Sequence, residues 1–506
     1  MRVVFRADAS LTIGTGHAMR CLTLGAQLRA RGADVTFVCR MLPGHVCELV
    51  REQGFTLYAL PAPTVPVTDP KADSPMHWLG VTPEEDRTQT ANCLSQFGGA
   101  DWLVVDHYGL DASWEKAMRP HAAKLMVIDD LANRPHQCDV LLDQNLCQDI
   151  ERRYDTLVPD RCRKLLGPRY ALLREEFATA RRALRQRSGQ IRRILIFFGG
   201  VDAAGETVKS IEALALLGTP PLALDVVVGV SNPRSDHIRE ICKKVPGAHF
   251  HASVSNIAEL MAAADLAIGA GGTTTWERAS LGLPSIIVVV AQNQEALSKA
   301  MADQGCALML TREQATASSI LLQVQALMQQ PALMRHMQGL NTQLVDGRGA
   351  ARIARLLIPD AVHLRRAQPA DSANIYLWRN SEFVRRNSLN GAPIDRETHD
   401  AWYKATLECP KRALLVAEVD GHPVGVLRYD LGRDDAVASI YLVPGSTGKG
   451  LGAAILQQGE RWMAQHFPKI REILAEILEG NSASSNAFLD AGFRRHRLMF
   501  TKPVQS

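Results

Sequence analysis

FRADASLTIGTGHAMRCLTLG, residues Phe5 to Gly25, joins the end of an apolar run, a turn holding two glycines and the start of an amphipathic stretch. Its pattern predicts a strand over Val3 to Ala7, a turn at Ile13-Gly14-Thr15-Gly16-His17 and a helix over Ala18 to Arg31. The glycines allow the tight reversal between strand and helix. The turn then presents Gly16 and His17 at a helix N-terminus, on the side where such folds bind ligands. An imidazole there, with an ordinary pKa of about 6.5, suits proton removal from water. It suits a helix cap or a phosphate ligand equally well, and spacing alone leaves these open.

Outward from that unit the alternation repeats. Asp34 to Val38, Trp102 to Asp106, Leu125 to Asp129 and Val140 to Asp143 read as further strands, giving an α/β domain with a parallel sheet over residues 1–155. The basic run Arg181 to Arg193 reads as a solvated linker helix. Strands at Arg193 to Phe198, Leu224 to Val228, Leu266 to Gly269 and Ile286 to Val290 then predict a second doubly wound domain within residues 156–358. From residue 362 to 506 the texture changes. Arg412 to Val419, Pro423 to Tyr429 and Ala436 to Val443 follow one another before a glycine-rich turn, which predicts an α+β domain with an antiparallel meander. A length of 506 residues agrees with three cores, since single cores stop growing at roughly 250–300 residues.

The composition, with 46% hydrophobic and 22% charged residues, is that of an ordinary globular protein. A net charge of +4 without a basic patch points away from nucleic acid, and no window approaches the roughly 20 apolar residues of a membrane helix. The ten cysteines form no CxxC pair and no Cys/His cluster, so the expectation is reduced thiols in a cytoplasmic protein and no metal site.

Two glycine turns mark the second domain: Phe198-Gly199-Gly200-Val201-Asp202 and Gly269-Ala270-Gly271-Gly272-Thr273, the latter leading to Glu277. Consecutive glycines before a helix expose N–H groups to phosphate oxygens, and a carboxylate one turn in suits the vicinal hydroxyls of a ribose. Asn293, in Gln292-Asn293-Gln294 after the next strand, extends the same candidate site. The alternative is that the glycines merely close tight turns and Glu277 serves the helix terminus. Asp8, Asp106, His107 and Tyr108 lie at strand ends facing the first domain's cleft, where they suit either substrate hydroxyls or loop capping.

FRADASLTIGTGHAMRCLTLG, LGPRYALLREEF (Leu166 to Phe177) and IGAGGTTTWERASLGLP (Ile268 to Pro284) together resemble the UDP-sugar hydrolases of pseudaminic acid biosynthesis, relatives of the GT-B glycosyltransferases. The resemblance spans residues 1–358. It implies metal-independent, inverting hydrolysis of a UDP-linked diacetamido-trideoxy sugar, with His17 as catalytic residue and the nucleotide site at Gly271, Gly272, Thr273 and Glu277. Asp8, from its place at a strand end, is a second catalytic candidate, and Gly16, Tyr108, Gly199, Gly200 and Asn293 are candidate contacts to UDP or sugar. A transferase of the same superfamily would need an acceptor where a hydrolase needs only an ordered water; the resemblance alone favours water.

Near the C-terminus, Ile440-Tyr441-Leu442-Val443-Pro444 precedes Thr447-Gly448-Lys449-Gly450-Leu451-Gly452 and an apolar helix, and NSASSNAFLDAGF (Asn481 to Phe493) follows. A strand, an N–H-rich turn and a helix start suit a pyrophosphate. These motifs resemble the GNAT acetyltransferases. The resemblance implies acetyl-CoA as co-substrate, held by Leu442, Val443, Gly448, Lys449, Gly450, Leu451, Gly452, Asn481 and Asn486, with the 4-amino group of a UDP-amino-sugar as acceptor. Thr447 stands where an Arg or Gln commonly opens the turn. Phe488 stands where many such enzymes carry a proton-donating tyrosine, and phenylalanine cannot donate. Glu418 and Tyr441 are the residues left to consider for acid–base work.

Overall fold

The computed structural model describes residues 1–63, 78–147, 149–202, 204–217, 222–229, 232–252, 254, 256–359, 362–388, 390–419, 421–447, 450–478 and 480–496, without the Asn293 side chain. The chain divides into two compact units, Met1–Ala354 and Arg355–Ser506.

The first unit holds two parallel sheets. The first consists of β1 (Arg2–Ala7), β2 (Asp34–Arg40), β3 (Thr56–Leu60), β4 (Ala100–Asp106), β5 (Ala122–Ile128), β6 (Val140–Asp143) and β7 (Arg163–Leu166), in the order β3-β2-β1-β4-β5-β6-β7. Val3, Val4 and Phe5 in β1 and Leu103, Val104 and Val105 in β4 are buried, as strands covered on both faces must be. The order reverses between β1 and β4, and Ala7 pairs with Asp106. That register sets the loop from Asp8 to His17 beside Asp106-His107-Tyr108 at the switch point, where doubly wound sheets bind ligands. Because β7 pairs with β6, the first sheet runs past residue 155 to Leu166.

The second sheet has the same design. Its strands β8 (Arg193–Phe197), β9 (Ala223–Val228), β10 (Ala248–Ala252), β11 (Leu266–Ala270), β12 (Ser285–Val288) and β13 (Ala307–Leu310) run β10-β9-β8-β11-β12-β13. Phe197 pairs with Gly269, which brings the Gly199-Gly200 and Gly271-Gly272 turns side by side.

The basic run between the sheets is not a solvated linker helix. The helix Glu175–Arg182 ends early, and Arg187 is 3% exposed. Its guanidinium donates to the carbonyls of Met261, Ala262 and Ala264 at the end of helix Ile257–Ala263, and of Leu281 and Gly282 after helix Thr274–Ser280. Arg181 donates to the carbonyls of Ser280, Thr342 and Val345. Helix C-termini leave carbonyls without partners and carry negative partial charge, so these cations satisfy both needs. Burial pushes the Arg187 guanidinium down to about 10, leaving it charged at neutral pH.

The second unit contains β14 (His363–Arg366), β15 (Arg412–Val419), β16 (His422–Leu431), β17 (Asp435–Leu442) and β18 (Glu472–Leu474) in sequential order. All neighbours are antiparallel except β17 and β18, which are parallel and pair only over Asp435–Val437 and Glu472–Leu474. Helices Leu451–His466 and Ser482–Asp490 contribute Ile455, Leu456 and Phe488 to the core on one face. Helices Ser372–Asn380 and Arg396–Glu408 contribute Ile375 and Tyr403 on the other.

Replacing Arg187 by Ala removes the donor from five carbonyls, four of them in buried hydrogen bonds. Stability should fall by about 3 kcal/mol or more, since each orphaned buried polar group costs roughly 1–3 kcal/mol. Urea unfolding measures it, and a loss under about 1 kcal/mol, ordinary for a surface change, contradicts the anchoring role.

Candidate active site

His17 is 8% exposed, at the second position of helix Gly16–Ala30. Its Nδ1 lies 2.5 Å from Asp106 Oδ1. Asp106 is fully buried and also accepts from Arg20 Nε at 2.6 Å and Arg20 Nη2 at 2.7 Å. Burial alone would raise the Asp106 carboxyl, but Arg20, then His17, hold it well below the ordinary carboxylate range. An ionised Asp106 only accepts, so in the neutral imidazole the proton sits on Nδ1, which also lies 3.2 Å from Arg20 Nη2, and Nε2 is the acceptor nitrogen. Nε2 has no hydrogen-bond partner among the described residues.

Arg20 sits one turn after His17 on the same helix face and reaches a second carboxylate, Asp130, at 3.3 Å. The Tyr108 hydroxyl donates to Asp130, and burial, then Asp130, pushes its pKa up. Tyr108 therefore offers its ring to the site: it meets the His17 ring edge-on at 4.6 Å, and Trp78 lies 6.0 Å from His17. Gly16 adds open space, since a Cβ there would meet nothing within 4 Å.

Asp8 occupies a different place from the one its strand-end position suggests. It is 1% exposed; its Oδ1 accepts from Arg6 Nη1 at 2.6 Å and from the Arg40 N–H at 2.7 Å. Arg6 and Arg40 also bind buried Asp86, at 2.5 and 2.7 Å. Beside Asp8, at 3.4 Å, stands His107, pushed down to about 4 by burial. Asp8 is thus a member of a buried charge network under the turn, a geometry that suits support of the loop and not proton transfer to a substrate.

In the second half of this unit the two glycine turns differ. Behind Gly199-Gly200, the Asp202 carboxylate accepts the N–H groups of Glu206 and Thr207, both at 2.9 Å, so the N-terminus of helix Glu206–Ala215 already holds an anion. Behind Gly271-Gly272, no side chain caps helix Thr274–Ser280. The Gly271 N–H donates to Gln294 Oε1 at 3.2 Å, and a Cβ at Gly271 would come within 2.2 Å of Ser298 Oγ, so only glycine fits. Thr273 precedes the open helix start. Glu277 is held by Arg174, whose Nη2 donates to Oε1 at 3.3 Å; burial nonetheless pushes its pKa up. The Oε2 atom has no partner among the described residues. The Asn293 side chain lies outside the described residues.

In the second unit, the Val443 N–H donates to Val424 O at 3.0 Å and the Val443 carbonyl accepts from Ser446 N–H at 2.9 Å. Backbone groups alternate along an antiparallel pair, so those of Ala438, Ile440 and Leu442 point to the opposite edge, where no strand among the described residues pairs beyond Val437. Gly448 and Lys449 lie outside the described residues. Gly450, at φ 72°, precedes helix Leu451–His466, whose first turn no side chain caps. Leu451 is buried in the core, and a Cβ at Gly452 would stand 3.2 Å from Ala487 Cβ, so both serve packing. Asn481 caps its own helix, accepting from Ser484 N–H at 3.0 Å, while Asn486 is exposed. Phe488 packs on Phe493 at 4.9 Å inside the core.

The sequence pattern did not single out Arg20, Asp130, Trp78 or Arg174, while Gln294 lay within the Gln292-Asn293-Gln294 motif. Of those four, only Arg20 carried a local signal, its spacing of three from His17.

Residues 194–346 match the glycosyltransferase family 28 C-terminal domain, and residues 374–493 match the acetyltransferase (GNAT) family. The chain is 26% identical over 307 residues to the UDP-2,4-diacetamido-2,4,6-trideoxy-beta-L-altropyranose hydrolase of Campylobacter jejuni, covering 60% of this chain and 97% of that protein. It is 26% identical over 268 residues to the spore coat polysaccharide biosynthesis protein SpsG of Bacillus subtilis, covering 51% and 76%. Among solved structures, MurG of Acinetobacter baumannii aligns over 70% of this chain and 98% of its own with a TM-score of 0.52 at 15% identity. The chain thus joins a GT-B fold, its second half matching the glycosyltransferase family 28 C-terminal domain, to a segment that matches the GNAT acetyltransferases.

Proposed function

We propose that the first unit hydrolyses a UDP-linked diacetamido-trideoxy sugar with inversion, as a step of pseudaminic acid synthesis, and that the second acetylates the 4-amino group of its UDP-linked precursor. The observation that carries the hydrolase reading is the buried Arg20–Asp106–His17 chain, which leaves Nε2 of His17 as a base at a ligand-binding strand end. Water attacks the anomeric carbon while Nε2 takes its proton; the bond from that carbon to the phosphate oxygen breaks, and UDP leaves. Asp106 stabilises the imidazolium that forms, as an orienting carboxylate does. The reaction so described draws on no metal ion.

UDP belongs, in this reading, to the Gly271-Gly272-Thr273 turn. Its helix start is uncapped and meets the departing phosphates, whereas Asp202 fills the equivalent place behind Gly199-Gly200. Glu277 accepts from the ribose hydroxyls through its open oxygen while Arg174 orients it. In the second unit, the free edge of Ala438 to Leu442 takes the amide-bearing arm of acetyl-CoA as an added strand, and the turn before Leu451 takes its pyrophosphate. The C. jejuni relative's printed activity supports the hydrolase assignment, and the GNAT match supports acetyl-CoA.

His17→Ala should lower the rate of UDP release by ~10²–10⁴, the range for a general base, with UDP affinity nearly unchanged. Asp106→Asn should share the rate defect because an amide cannot hold the imidazolium. Near-normal turnover in His17→Ala sinks the assignment.

Glu277→Ala should weaken UDP binding about ten-fold to a hundred-fold, the worth of charge-assisted hydrogen bonds. Calorimetry with UDP decides this, and unchanged affinity would mean that the carboxylate serves only Arg174.

A further inference from the structure

Three polar atoms without hydrogen-bond partners among the described residues lie on the face of the second unit's sheet opposite Phe488. The Tyr441 hydroxyl, Arg379 Nη1 and Arg428 Nε are all buried atoms with no hydrogen bond. Val426 pairs with Tyr441 and Arg428 with Ser439, so Arg428 and Tyr441 are diagonal neighbours on one face, within reach of long side chains. Arg379, one residue from the end of helix Ser372–Asn380, bears electrostatically on both. The hydrophobic cluster under these groups is that of Ile375, Tyr403, Leu414, Val416 and Val426.

The charge balance there is uneven. Arg428 Nη2 pairs with Asp430 at 2.8 Å, and Arg412 Nε approaches the same carboxylate at 3.1 Å. Arg379 has only the Asn390 carbonyl, at 2.8 Å, and the neighbouring Arg385 binds the carbonyls of Asn380 and Gly391. Asp430 thus serves Arg412 and Arg428, and neither Arg379 nor Arg385 has a carboxylate partner among the described residues. Burial, and then the nearby Arg385 and Arg428, push the Arg379 pKa down although Tyr441 opposes them, as expected for a cation lacking its counterion. A sequestered cation and unmade hydrogen bonds are each costly, and a ligand anion would relieve both.

We propose that Arg379, Arg428 and Tyr441 form the acceptor subsite of the second unit, and that it takes an amine carrying a phosphate rather than a free amine or a polyamine. The subsite rests on the acetyl-CoA reading of this unit. Tyr441 belongs to the same stretch of β17 whose free edge is assigned to the acetyl-CoA arm, so an acceptor anchored by its phosphate on these groups has its amine beside the thioester. The guanidinium pair repels a cationic acceptor and binds oxyanions.

The test uses the full chain and two acceptors, a UDP-linked 4-amino sugar and the same amino sugar without UDP, with thiol release from acetyl-CoA as readout. The wild type should prefer the UDP-linked acceptor at least ten-fold in kcat/KM. Arg379→Gln and Arg428→Gln should each reduce that preference about ten-fold or more, through the acceptor KM, and Arg379→Lys, which keeps the charge, should retain most of it. The KM for acetyl-CoA separates a lost subsite from a damaged fold. Equal use of both acceptors by the wild type, or a preference that survives both glutamine variants, overturns the subsite alone. A chain that binds no acetyl-CoA by calorimetry overturns the transferase reading, and the subsite with it.

Discussion

The contact on which the candidate active site depends is the one between the buried carboxylate of Asp106 and its two partners on helix Gly16–Ala30. A carboxylate with no exposure is costly unless paired, and so is a buried guanidinium; Asp106 and Arg20 each remove the other's penalty. The pairing also holds the His17 ring. One nitrogen is committed to Asp106 and the other has no partner among the described residues. The sheet imposes this meeting: β1 and β4 are neighbours at the point where strand order reverses, and their register delivers the glycine turn and Asp106 to one place.

The second parallel sheet repeats the same scaffold with a different distribution of charge. At one of its glycine turns the protein supplies its own anion, Asp202, which occupies the helix start. At the other it supplies none, and the short helix Thr274–Ser280 is instead fixed from behind by Arg181 and Arg187 on its terminal carbonyls. Cations at one end and an open N-terminus at the other orient this helix for a negatively charged ligand. The basic run that looks like a linker in sequence is therefore part of what holds helix Thr274–Ser280.

The fold was legible where strands are interior. β1, β4, β8, β11, β15 and β16 each carry a buried apolar run, and all are recovered by pattern. The strands that pattern missed are β3, β7, β10, β13, β14 and β18, and these are the two edges of each of the three sheets. An edge strand is covered by fewer neighbours, so its apolar signal is weak: His-Leu-Arg-Arg in β14 shows neither an apolar run nor alternation, and Ala-His-Phe-His-Ala in β10 alternates over only five residues with one large apolar side chain. The site divides in the same way. His17 was singled out because a glycine turn marks it, and its partner Asp106 because it ends a strand. Asp130, Trp78 and Arg174 were not, because each reaches its partner across a long stretch of chain, and Asp8 misled because a strand end can face inward as well as out.

At the centre of this account is a water molecule, activated by His17, that attacks the sugar and not the phosphate. Hydrolysis of the UDP-linked diacetamido-trideoxy sugar in water enriched in oxygen-18, followed by mass spectrometry of the UDP and proton NMR of the first-formed sugar, tests it most directly. The account predicts UDP free of label and a free sugar released with inverted anomeric configuration. Label in the β-phosphate of UDP, or release with retained configuration, would contradict it.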